Sequence, residues 1–569
     1  MNYNNFATAL YAPVGNLTAI KDLNEFENRF SFIEKHVRID KIYLETYRSG
    51  ELIERENMER MIAFFKNKGM KVSGGITTTD RGHEHTFGFT SLCYTNQEHR
   101  DRLKAAIEMT ASLFDEIILD DFYFTNCKCN SCIKAKGDKS WSEFRLQLMK
   151  EVSDNLVMGP AKRVNPKVNM IVKFPNWYEC FQETGYHLEY EPTVFDMIYT
   201  GTETRDPLYT QQHLPSYLSY FIMRYFENVK PGKNGGGWFD PFECRGNLNY
   251  YVEQANLTLF SKPKEVTLFC LSALMDKRWS IFTPLAGYAL DEVDEFLGEL
   301  GNPTGVSCYI PYHSTGEEYL HNYVGMLGIP LEPYPEYPQG HSKIFLTQSA
   351  AKNPQVIDKI EESLRNGGDV IITSGLVKAL TDKGLGQLAN IRWSGNKAQV
   401  NRYGMSRTGL NLDAVAVSDK AILLPWMNYS NNDVWPLAEG LVSDNNIPVL
   451  IAVNYGKGHL FILTIPDDQG DLYHYPREVL NLIRKTLKGN CPVSIDANAK
   501  IGLFTYDNDT FVVESFLPYP EDIKVVIDRQ NAKLVDLVTG LEIEGLTSED
   551  TTTFKVNLQQ ATYKAFRIK

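Results

Sequence analysis

The sequence predicts an α/β protein whose residues 1–305 form a (β/α)8 barrel. Eight short apolar segments typical of buried strands recur over this region, and most are separated by amphipathic stretches such as Leu52–Lys68 and Glu98–Leu113. Eight such units over about 300 residues suit a barrel, for which roughly 250 residues is typical. A doubly wound parallel sheet shows the same alternation and is the structural alternative.

The eight predicted strands differ in the strength of their pattern. The seventh is the weakest prediction, because it is short and begins in GGG. The strands are predicted at Phe6–Tyr11, Lys41–Glu45, Met70–Ile76, Glu116–Asp121, Val168–Phe174, Phe195–Tyr199, Gly237–Phe239 and Glu265–Ser272.

Residues 306–490 predict a second α/β domain, which follows a Pro- and Tyr-rich connection over residues 306–340. GGDVIITSG and NYGKGHLFILTIP resemble glutamine-amidotransferase-like domains. No cysteine lies between Cys308 and Cys491, so the nucleophile of an amidotransferase is absent and we expect a structural domain, with a role in assembly as one form of it. Its elements are predicted as strands at Lys343–Thr347, Asp369–Thr373, Val449–Val453 and His459–Ile465 and a helix at Asn353–Asn366.

Residues 491–569 change to short runs of alternating polar and apolar residues. Asn508 and Asp509 lie between two of these runs and predict a hairpin turn. We expect a small antiparallel β-sandwich here.

Composition and charge exclude two classes of function. A net charge of -13 leaves no basic footprint for phosphates, which argues against a nucleic-acid partner. The sequence contains no apolar run of about 18 residues, so no membrane span is predicted. The first residues lack the pattern of a signal peptide. The chain has nine cysteines, an odd number, and three of them lie within the six positions 127–132. This pattern is not that of a disulfide framework. We expect reduced thiols and a cytoplasmic protein, with a periplasmic location open if a leader was removed.

Polar and aromatic residues gather at the predicted carboxyl ends of the barrel strands, where barrel enzymes carry their catalytic groups. Acids at four strand ends suit glycoside hydrolysis, which needs one carboxyl as acid and another as nucleophile or base. Tryptophans there would bind the C–H face of a sugar. The candidates are Asp120, Asp121, Glu203 and Glu243 for catalysis, and Glu45, Tyr47, Lys173, Asn176, Trp177, Arg205, Trp238 and Asp240 for substrate binding.

The strand-four acids carry the first assignment of roles. Only one of two neighbouring strand residues can point inward, so we predict Asp120 as the nucleophile and Asp121 as its support. Glu203 is the predicted acid/base, and Glu243 is the rival for either role.

Each acid also has a structural alternative. The aspartate pair could cap the strand end beside an arginine, Glu203 could pair with Arg205, and Glu243 could pair with Arg245.

A C-x-C-x-x-C cluster follows strand four. Cys127, Cys129 and Cys132 offer three thiolates on one tight loop, and Cys93 after strand three is the nearest fourth ligand. Four cysteines leave no open position for water, so a zinc ion here would be structural. Three free thiols are the alternative, and the other candidates for the fourth ligand are His83, His85 and His99. His83 and His85 suit a polar loop lining the site better than a metal site.

The cluster, the upstream cysteine and VGMLGIPLEP near residue 330 resemble glycoside hydrolase family 42 β-galactosidases over the whole chain. The resemblance implies zinc on the cysteines, no organic cofactor, and a barrel followed by an amidotransferase-like trimerisation domain and a small β domain. It therefore also implies a homo-oligomer, with a trimer as the form expected.

The catalytic residues depart from that family. Its strand-four acid is a glutamate after asparagine and its nucleophile is a strand-seven glutamate, whereas Asp120 and Asp121 stand on strand four here. An aspartate on strand four with an acid on strand six resembles the retaining α-glycosidase clans instead. We expect a divergent, retaining, exo-acting glycosidase that cleaves an oligo- or polysaccharide.

The sequence leaves two other functions open. A carbohydrate-binding or assembly protein with a degenerate barrel would keep the fold without turnover. A polysaccharide lyase would need a base beside a cation, which Tyr47 and Arg48 could supply.

Overall fold

The computed structural model describes residues 2–82, 88, 90–208, 214–443 and 445–569. The chain divides into two compact units. One comprises Met1–Leu214 with Leu218–Gly298, and the other comprises Pro215–Tyr217 with Glu299–Lys569. No helix within these described ranges is both long and apolar enough to cross a membrane.

The first unit is a closed barrel of eight parallel strands. Strand one pairs with strand two on one side and with strand eight on the other, so the sheet has no open edge. The barrel prediction is confirmed and the doubly wound alternative is excluded. The strands are β1 (Ala7–Ala12), β2 (Lys41–Arg48), β3 (Lys71–Ile76), β4 (Glu116–Leu119), β5 (Asn169–Phe174), β6 (Met197–Gly201), β7 (Asn234–Phe239) and β8 (Glu265–Phe269).

Helices cover the barrel, as the periodicity predicts. The two amphipathic stretches form Arg55–Asn67 and Gln97–Leu113, whose apolar faces are buried. The other helices of this unit are Val14–Thr18, Leu23–His36, Asn130–Lys136, Trp141–Val152, Gly159–Val164, Phe181–Thr184, Glu191–Val194, Leu218–Val229, Asn249–Phe260, Leu271–Met275 and Phe282–Leu297, with a π-helical turn at Ser153–Met158.

The glycines of β7 have a packing reason. A methyl group at Gly236 would lie 2.1 Å from the carbonyl oxygen of Glu265, and one at Gly237 would lie 2.3 Å from Cγ2 of Thr258. Neighbouring chain therefore occupies the space of a side chain at these positions. The run that weakens the strand prediction is a requirement of the barrel wall.

The second unit begins with a nine-stranded mixed sheet. Residues 306–340 are not a mere connection, because Val306–Tyr309 and Leu331–Tyr334 pair in parallel as strands of this sheet. The predicted strands and helix are present as Lys343–Leu346, Asp369–Thr373, Asn445–Tyr455, Gly458–Leu463 and Val356–Arg365. Three long antiparallel strands were not predicted, at Ile391–Met405, Ala414–Tyr429 and Trp435–Val442.

The chain ends in a sandwich of two antiparallel sheets. Ile501–Tyr506 and Thr510–Ser515 form the predicted hairpin, and Asp509 in its turn has a φ of 59°. Aliphatic and aromatic side chains fill the space between the sheets. The other strands are Pro303–Thr304, Lys533–Asp536, Glu542–Glu544 and Tyr563–Ile568 in one sheet, and Val493–Asp496, Glu521–Ile527, Leu546–Ser548 and Thr551–Leu558 in the other.

Candidate active site

A lysine ammonium lies at the centre of the carboxyl end of the barrel. Nζ of Lys173, the penultimate residue of β5, lies 2.5 Å from Oδ2 of Asp121 and 2.9 Å from Oε1 of Glu203. Oδ1 of Asp120 lies 3.6 Å away. Lys173 is only 1% exposed, so its charge is held among these acids and not in water. Groups from β4, β5 and β6 thus meet at one atom.

Asp120 is anchored on all sides. Its Oδ2 accepts hydrogen bonds from Nη2 of Arg48 at 2.7 Å and from Oγ1 of Thr77 at 3.1 Å, and its Oδ1 accepts the backbone N–H of Asp121 at 2.8 Å. Burial alone would raise the pKa of Asp120, but Lys173 and Arg48 outweigh it and lower that pKa below its usual range. Asp120 is therefore an ionised carboxylate.

Both neighbouring aspartates face the same lysine. The expectation that only one can point inward is wrong, because β4 ends at Leu119 and the alternation of a strand does not continue through Asp120 and Asp121. Tyr186 donates its hydroxyl hydrogen bond to the Asp121 carbonyl and fixes this turn.

Glu45 supports the cluster from β2. It accepts hydrogen bonds from the Tyr11 hydroxyl at 2.8 Å, the Val14 backbone N–H at 2.7 Å and Nε of Arg48 at 2.9 Å, and also from the Thr77 hydroxyl. Arg48 consequently bridges Glu45 and Asp120. Tyr11 and Thr77 are site residues that were not predicted from the sequence. Each lies at or just after the end of a barrel strand, and that position is the signal that could have identified them.

Arg205 and Asp240 form a second, bidentate ion pair. Nε and Nη2 of Arg205 donate to the two oxygens of Asp240 at 3.1 and 2.7 Å. Arg205 thus pairs with Asp240 and not with Glu203, whose backbone carbonyl accepts from Nδ2 of Asn176 at 2.7 Å.

Glu243 lies at the rim of the site. Its side chain is 46% exposed, and Oε2 is 4.0 Å from Nη1 of Arg205. Within the described residues it makes no ion pair with Arg245, which lies over the ring of Trp279. Arg205 and Glu243 both have positive φ, 54° and 60°. Such backbone conformations are costly for residues with side chains and cluster at functional sites.

The site contains more acids than bases. Five carboxyl groups face three cations, so full ionisation would leave an excess of negative charge in a buried place. Burial and the neighbouring acids raise the pKa of Asp121 to about 7 despite the opposing effect of Lys173. Burial also raises the pKa of Glu203, with Asp240 adding to it and Lys173 opposing it. The five acids are Glu45, Asp120, Asp121, Glu203 and Asp240, and the cations are Arg48, Lys173 and Arg205.

Trp238 is not an open sugar platform. It is 2% exposed, and its ring lies under the Lys173 ammonium, 4.1 Å from Nζ to the ring centroid. It stacks on Phe269, with centroids 5.2 Å apart, and Phe269 contacts Phe242, which in turn contacts Trp279. The half-buried Phe242 and Trp279 were missed by the sequence reading, and they continue this aromatic wall toward solvent.

Tyr47 also departs from its predicted position. It is fully buried beside Arg102 of the helix Gln97–Leu113 and does not join the carboxyl cluster. Because Arg48 is held by Glu45 and Asp120, the base and cation of a lyase do not come together. Trp177 is half-buried at the end of β5, where a substrate could reach it.

The four predicted cysteines converge. The sulfurs of Cys93, Cys127, Cys129 and Cys132 lie within 4.8 Å of one another, with Cys93 Sγ 3.7 Å from Cys129 Sγ and 3.6 Å from Cys132 Sγ. Four sulfurs bound at about 2.3 Å to a tetrahedral zinc ion would stand roughly 3.8 Å apart. The cluster therefore fits zinc.

The histidines proposed as alternative ligands have other positions. Nδ1 of His99 accepts the backbone N–H of Cys93 at 2.9 Å, which supports the cysteine loop from outside the sulfur cluster. His83 and His85 lie outside the described residues.

Comparison with known proteins follows the same division of the chain. A family model described as "Probable glycosyl hydrolase, catalytic domain" matches residues 1–294. The "second domain" model of "Uncharacterized protein SSO3021" matches residues 301–468, and "Probable glycosyl hydrolase, C-terminal domain" matches residues 492–568. Uncharacterized protein SSO3021 of Saccharolobus solfataricus is 27% identical over 415 residues, covering 66% of this chain and 67% of that protein.

Solved structures with this fold include three glycosidases. The β-galactosidase from Bacillus circulans sp. alkalophilus is 11% identical with a TM-score of 0.66, and 99% of each chain is covered. Alpha-L-fucosidase isoenzyme 2 from Paenibacillus thiaminolyticus is 12% identical with a TM-score of 0.67 and complete coverage of both. A GH42 β-galactosidase from G. stearothermophilus is 11% identical with a TM-score of 0.65, covering 100% and 99%. At these identities the likeness concerns the fold, which is the three-domain, family-42-like architecture expected from the sequence.

The family model spans more than half of the chain, and it coincides with a barrel that brings acids from three strand ends to one lysine. The chain belongs to the family of probable glycosyl hydrolases and is a glycoside hydrolase.

Proposed function

We propose that this enzyme is a retaining, exo-acting glycosidase in which Asp121 is the acid/base and Glu203 the nucleophile. One observation carries the proposal. A single ammonium, Nζ of Lys173, bonds a carboxyl oxygen of each residue. The two carboxyl groups thus come from different strand ends and face each other across one atom.

Their spacing supports retention of configuration. Two oxygens at 2.5 and 2.9 Å from the same Lys173 nitrogen cannot be farther apart than those distances added together. That upper limit lies below the roughly 6.5–9.5 Å that inverting enzymes need for a water molecule and is compatible with the roughly 5–5.5 Å of retaining enzymes.

The protons support the division of roles. A general acid must hold its proton near neutral pH, and Asp121, with its pKa raised to about 7, is the stronger candidate. The nucleophile must be ionised, and both Lys173 and Arg205 act to lower the pKa of Glu203, whereas Lys173 is the cation that acts on Asp121. Because the two acids share that lysine, they titrate as a pair. Activity is expected to fall as rising pH removes the proton of the pair.

Asp120 supports the pair in this proposal. Sequence alone favours it as nucleophile, but donors occupy both of its oxygens and its side chain is 3% exposed, against 10% for Asp121. An oxygen that bonds to an anomeric carbon must be open to it. Asp121 also occupies the second position of the strand-four pair, where family 42 carries its glutamate.

The proposal also covers where the enzyme attacks its substrate and which sugars it cleaves. The reacting carboxyls are each about nine-tenths buried, which favours a chain end over the middle of a polysaccharide. β-Galactosidase and α-L-fucosidase are the activities named for two proteins of this fold. Nitrophenyl β-galactosides and α-L-fucosides are therefore the first substrates to screen, followed by the other sugars in both anomeric forms.

Azide rescue tests the roles of the two acids. Asp121→Ala and Glu203→Ala should each lower turnover at least about a hundredfold. With an activated nitrophenyl glycoside, azide should restore product formation in both variants. Asp121→Ala should yield the glycosyl azide of the substrate's configuration, because azide then attacks the glycosyl-enzyme. Glu203→Ala should yield the inverted azide, because azide replaces the nucleophile.

Two further variants complete that experiment. Glu243 lies at the rim of the same site, but its side chain is exposed. The turnover of Glu243→Gln should therefore stay near that of the unsubstituted enzyme. If Asp120→Ala, and not Glu203→Ala, yields the glycosyl azide of inverted configuration, Asp120 on strand four is the nucleophile. Undiminished turnover in Asp121→Ala or Glu203→Ala would remove that residue from the pair.

We also propose a structural zinc ion on the four cysteines, in a protein that resides in the reducing cytoplasm. Spacing between the sulfurs supports the metal, and none of the nine cysteines, all of which the structure describes, forms a disulfide, which supports the compartment. Metal analysis of protein purified without added zinc should find about one equivalent. Less than about half an equivalent would contradict the site.

A homo-oligomer, with a trimer as the expected form, is the last part of the proposal. Ala414–Tyr429 is the edge strand of the nine-stranded sheet, and the hairpin that contains it exposes Leu410, Leu412, Val415 and Val417. An exposed apolar edge strand favours pairing with another chain. Light scattering should give a multiple of 64.8 kDa, which Leu412→Glu with Val417→Glu should reduce to that mass. A single-chain mass for the unsubstituted protein would contradict assembly.

A further inference from the structure

Arg145 is a buried arginine with an incomplete set of partners. It lies in the helix Trp141–Val152, is 5% exposed, and its guanidinium carbon is 4.8 Å from the centroid of the Trp141 ring. One nitrogen, Nη1, donates to the backbone carbonyl of Glu183. Nε and Nη2 have no hydrogen-bond acceptor among the described residues.

This arrangement is costly unless a negative charge lies nearby. A buried guanidinium must be paired to offset its desolvation, and no acidic oxygen of the described chain lies within 4.0 Å of Arg145. Burial lowers its pKa, and the groups that act in the opposite direction are Cys132, then Cys127, then Glu183. Two of these three groups are sulfurs of the cysteine cluster.

The cysteine cluster has the complementary need. Four thiolates around a divalent zinc carry a formal charge of about −2, and Cys132 is buried in a small apolar core with Phe144. Buried thiolates are stabilised by N–H donors and cations outside the ligand shell. Lys128 and Lys136 also lie over the Trp141 ring, but both are more exposed than Arg145.

We propose that Arg145, whose guanidinium lies over the ring of Trp141 beside the cysteine core, is the charge-compensating partner of a tetrathiolate zinc centre. The proposal rests on the structural zinc ion proposed above. Arg145 then acts as a positioning residue for the metal site and not as a ligand.

The same arginine joins the metal site to the carboxyl cluster. The Glu183 carbonyl that it binds belongs to the short helix Phe181–Thr184. At the end of this helix the Thr184 carbonyl accepts the backbone N–H of Thr125 at 3.0 Å, and Tyr186 donates to the Asp121 carbonyl. The turn that carries Asp121 is thus held from one side by this segment, while the chain that follows it leads into the cysteines.

Substitution of Arg145 tests the proposal through the metal itself. Arg145→Met keeps an apolar stem against Trp141 but removes the charge and the donors. Its affinity for zinc, measured by competition with a chromophoric chelator, should fall about 10–100-fold. Arg145→Lys, which keeps the charge without the fork of donors, should fall less. Lys136→Met removes a less deeply buried cation over the same ring and should bind zinc as the unsubstituted protein does.

Cobalt substitution supplies a readout that a general loss of stability would not change. In the Co(II)-loaded protein, Arg145→Met should shift the sulfur-to-cobalt charge-transfer bands in the ultraviolet, because a positive charge near the thiolates is lost. Lys136→Met should leave them in place. Circular dichroism of each zinc-loaded variant establishes that the variants compared are folded.

The outcomes separate the two proposals. Zinc affinity and cobalt bands that are the same in Arg145→Met and in the unsubstituted protein would overturn the role of Arg145 and leave the zinc centre standing. An unsubstituted protein without zinc would overturn the centre and the role of Arg145 with it. Neither readout depends on glycosidase activity, so the assignment of Asp121 and Glu203 is tested separately.

Discussion

The Lys173 ammonium is the interaction on which the arrangement of the site depends. It is buried, it lies over the face of Trp238, and it draws Asp120, Asp121 and Glu203 to within 3.6 Å of one atom. Carboxylates from separate strands repel each other, and such a group persists only when a cation lies between them. One lysine at the end of β5 therefore sets both the spacing of the acids and the distribution of their protons.

The surrounding residues divide these acids into fixed and free ones. Arg48 and Thr77 hold Asp120, and Arg205 holds Asp240. In the part of the chain that the structure describes, the side chains of Asp121 and Glu203 bond only Lys173, and both acids keep raised pKa values. This division is typical of catalytic sites, where similar carboxyl groups acquire different roles from their environments. On the β7 and β8 side, the half-buried Phe242 and Trp279 continue the aromatic contacts of Trp238 toward solvent.

Most of the fold was predictable because it depends on local pattern. Each barrel strand is a short apolar run, so periodicity and length suffice. The long hairpin at Ile391–Met405 and Ala414–Tyr429 was missed, although residues 421–427 are an apolar run, because exposed polar residues interrupt the strand pattern over much of the rest of both strands. Lys173 and the acids around it could also be predicted as site residues, because each lies at or just after the carboxyl end of a predicted barrel strand. Which groups bond each other was not predictable: Trp238 at the end of β7 is covered by Lys173, and the turn after β4 aims both aspartates at one side.

The stereochemistry of hydrolysis tests the central claim, that two carboxyl groups bridged by Lys173 act as a retaining pair. Proton NMR of the reaction mixture, recorded before mutarotation equilibrates the product, identifies the anomer released first from an active nitrophenyl glycoside. The account predicts the anomer with the configuration of the substrate, because the bridged carboxyls are too close to admit a water molecule between acid and sugar. First release of the opposite anomer would contradict it.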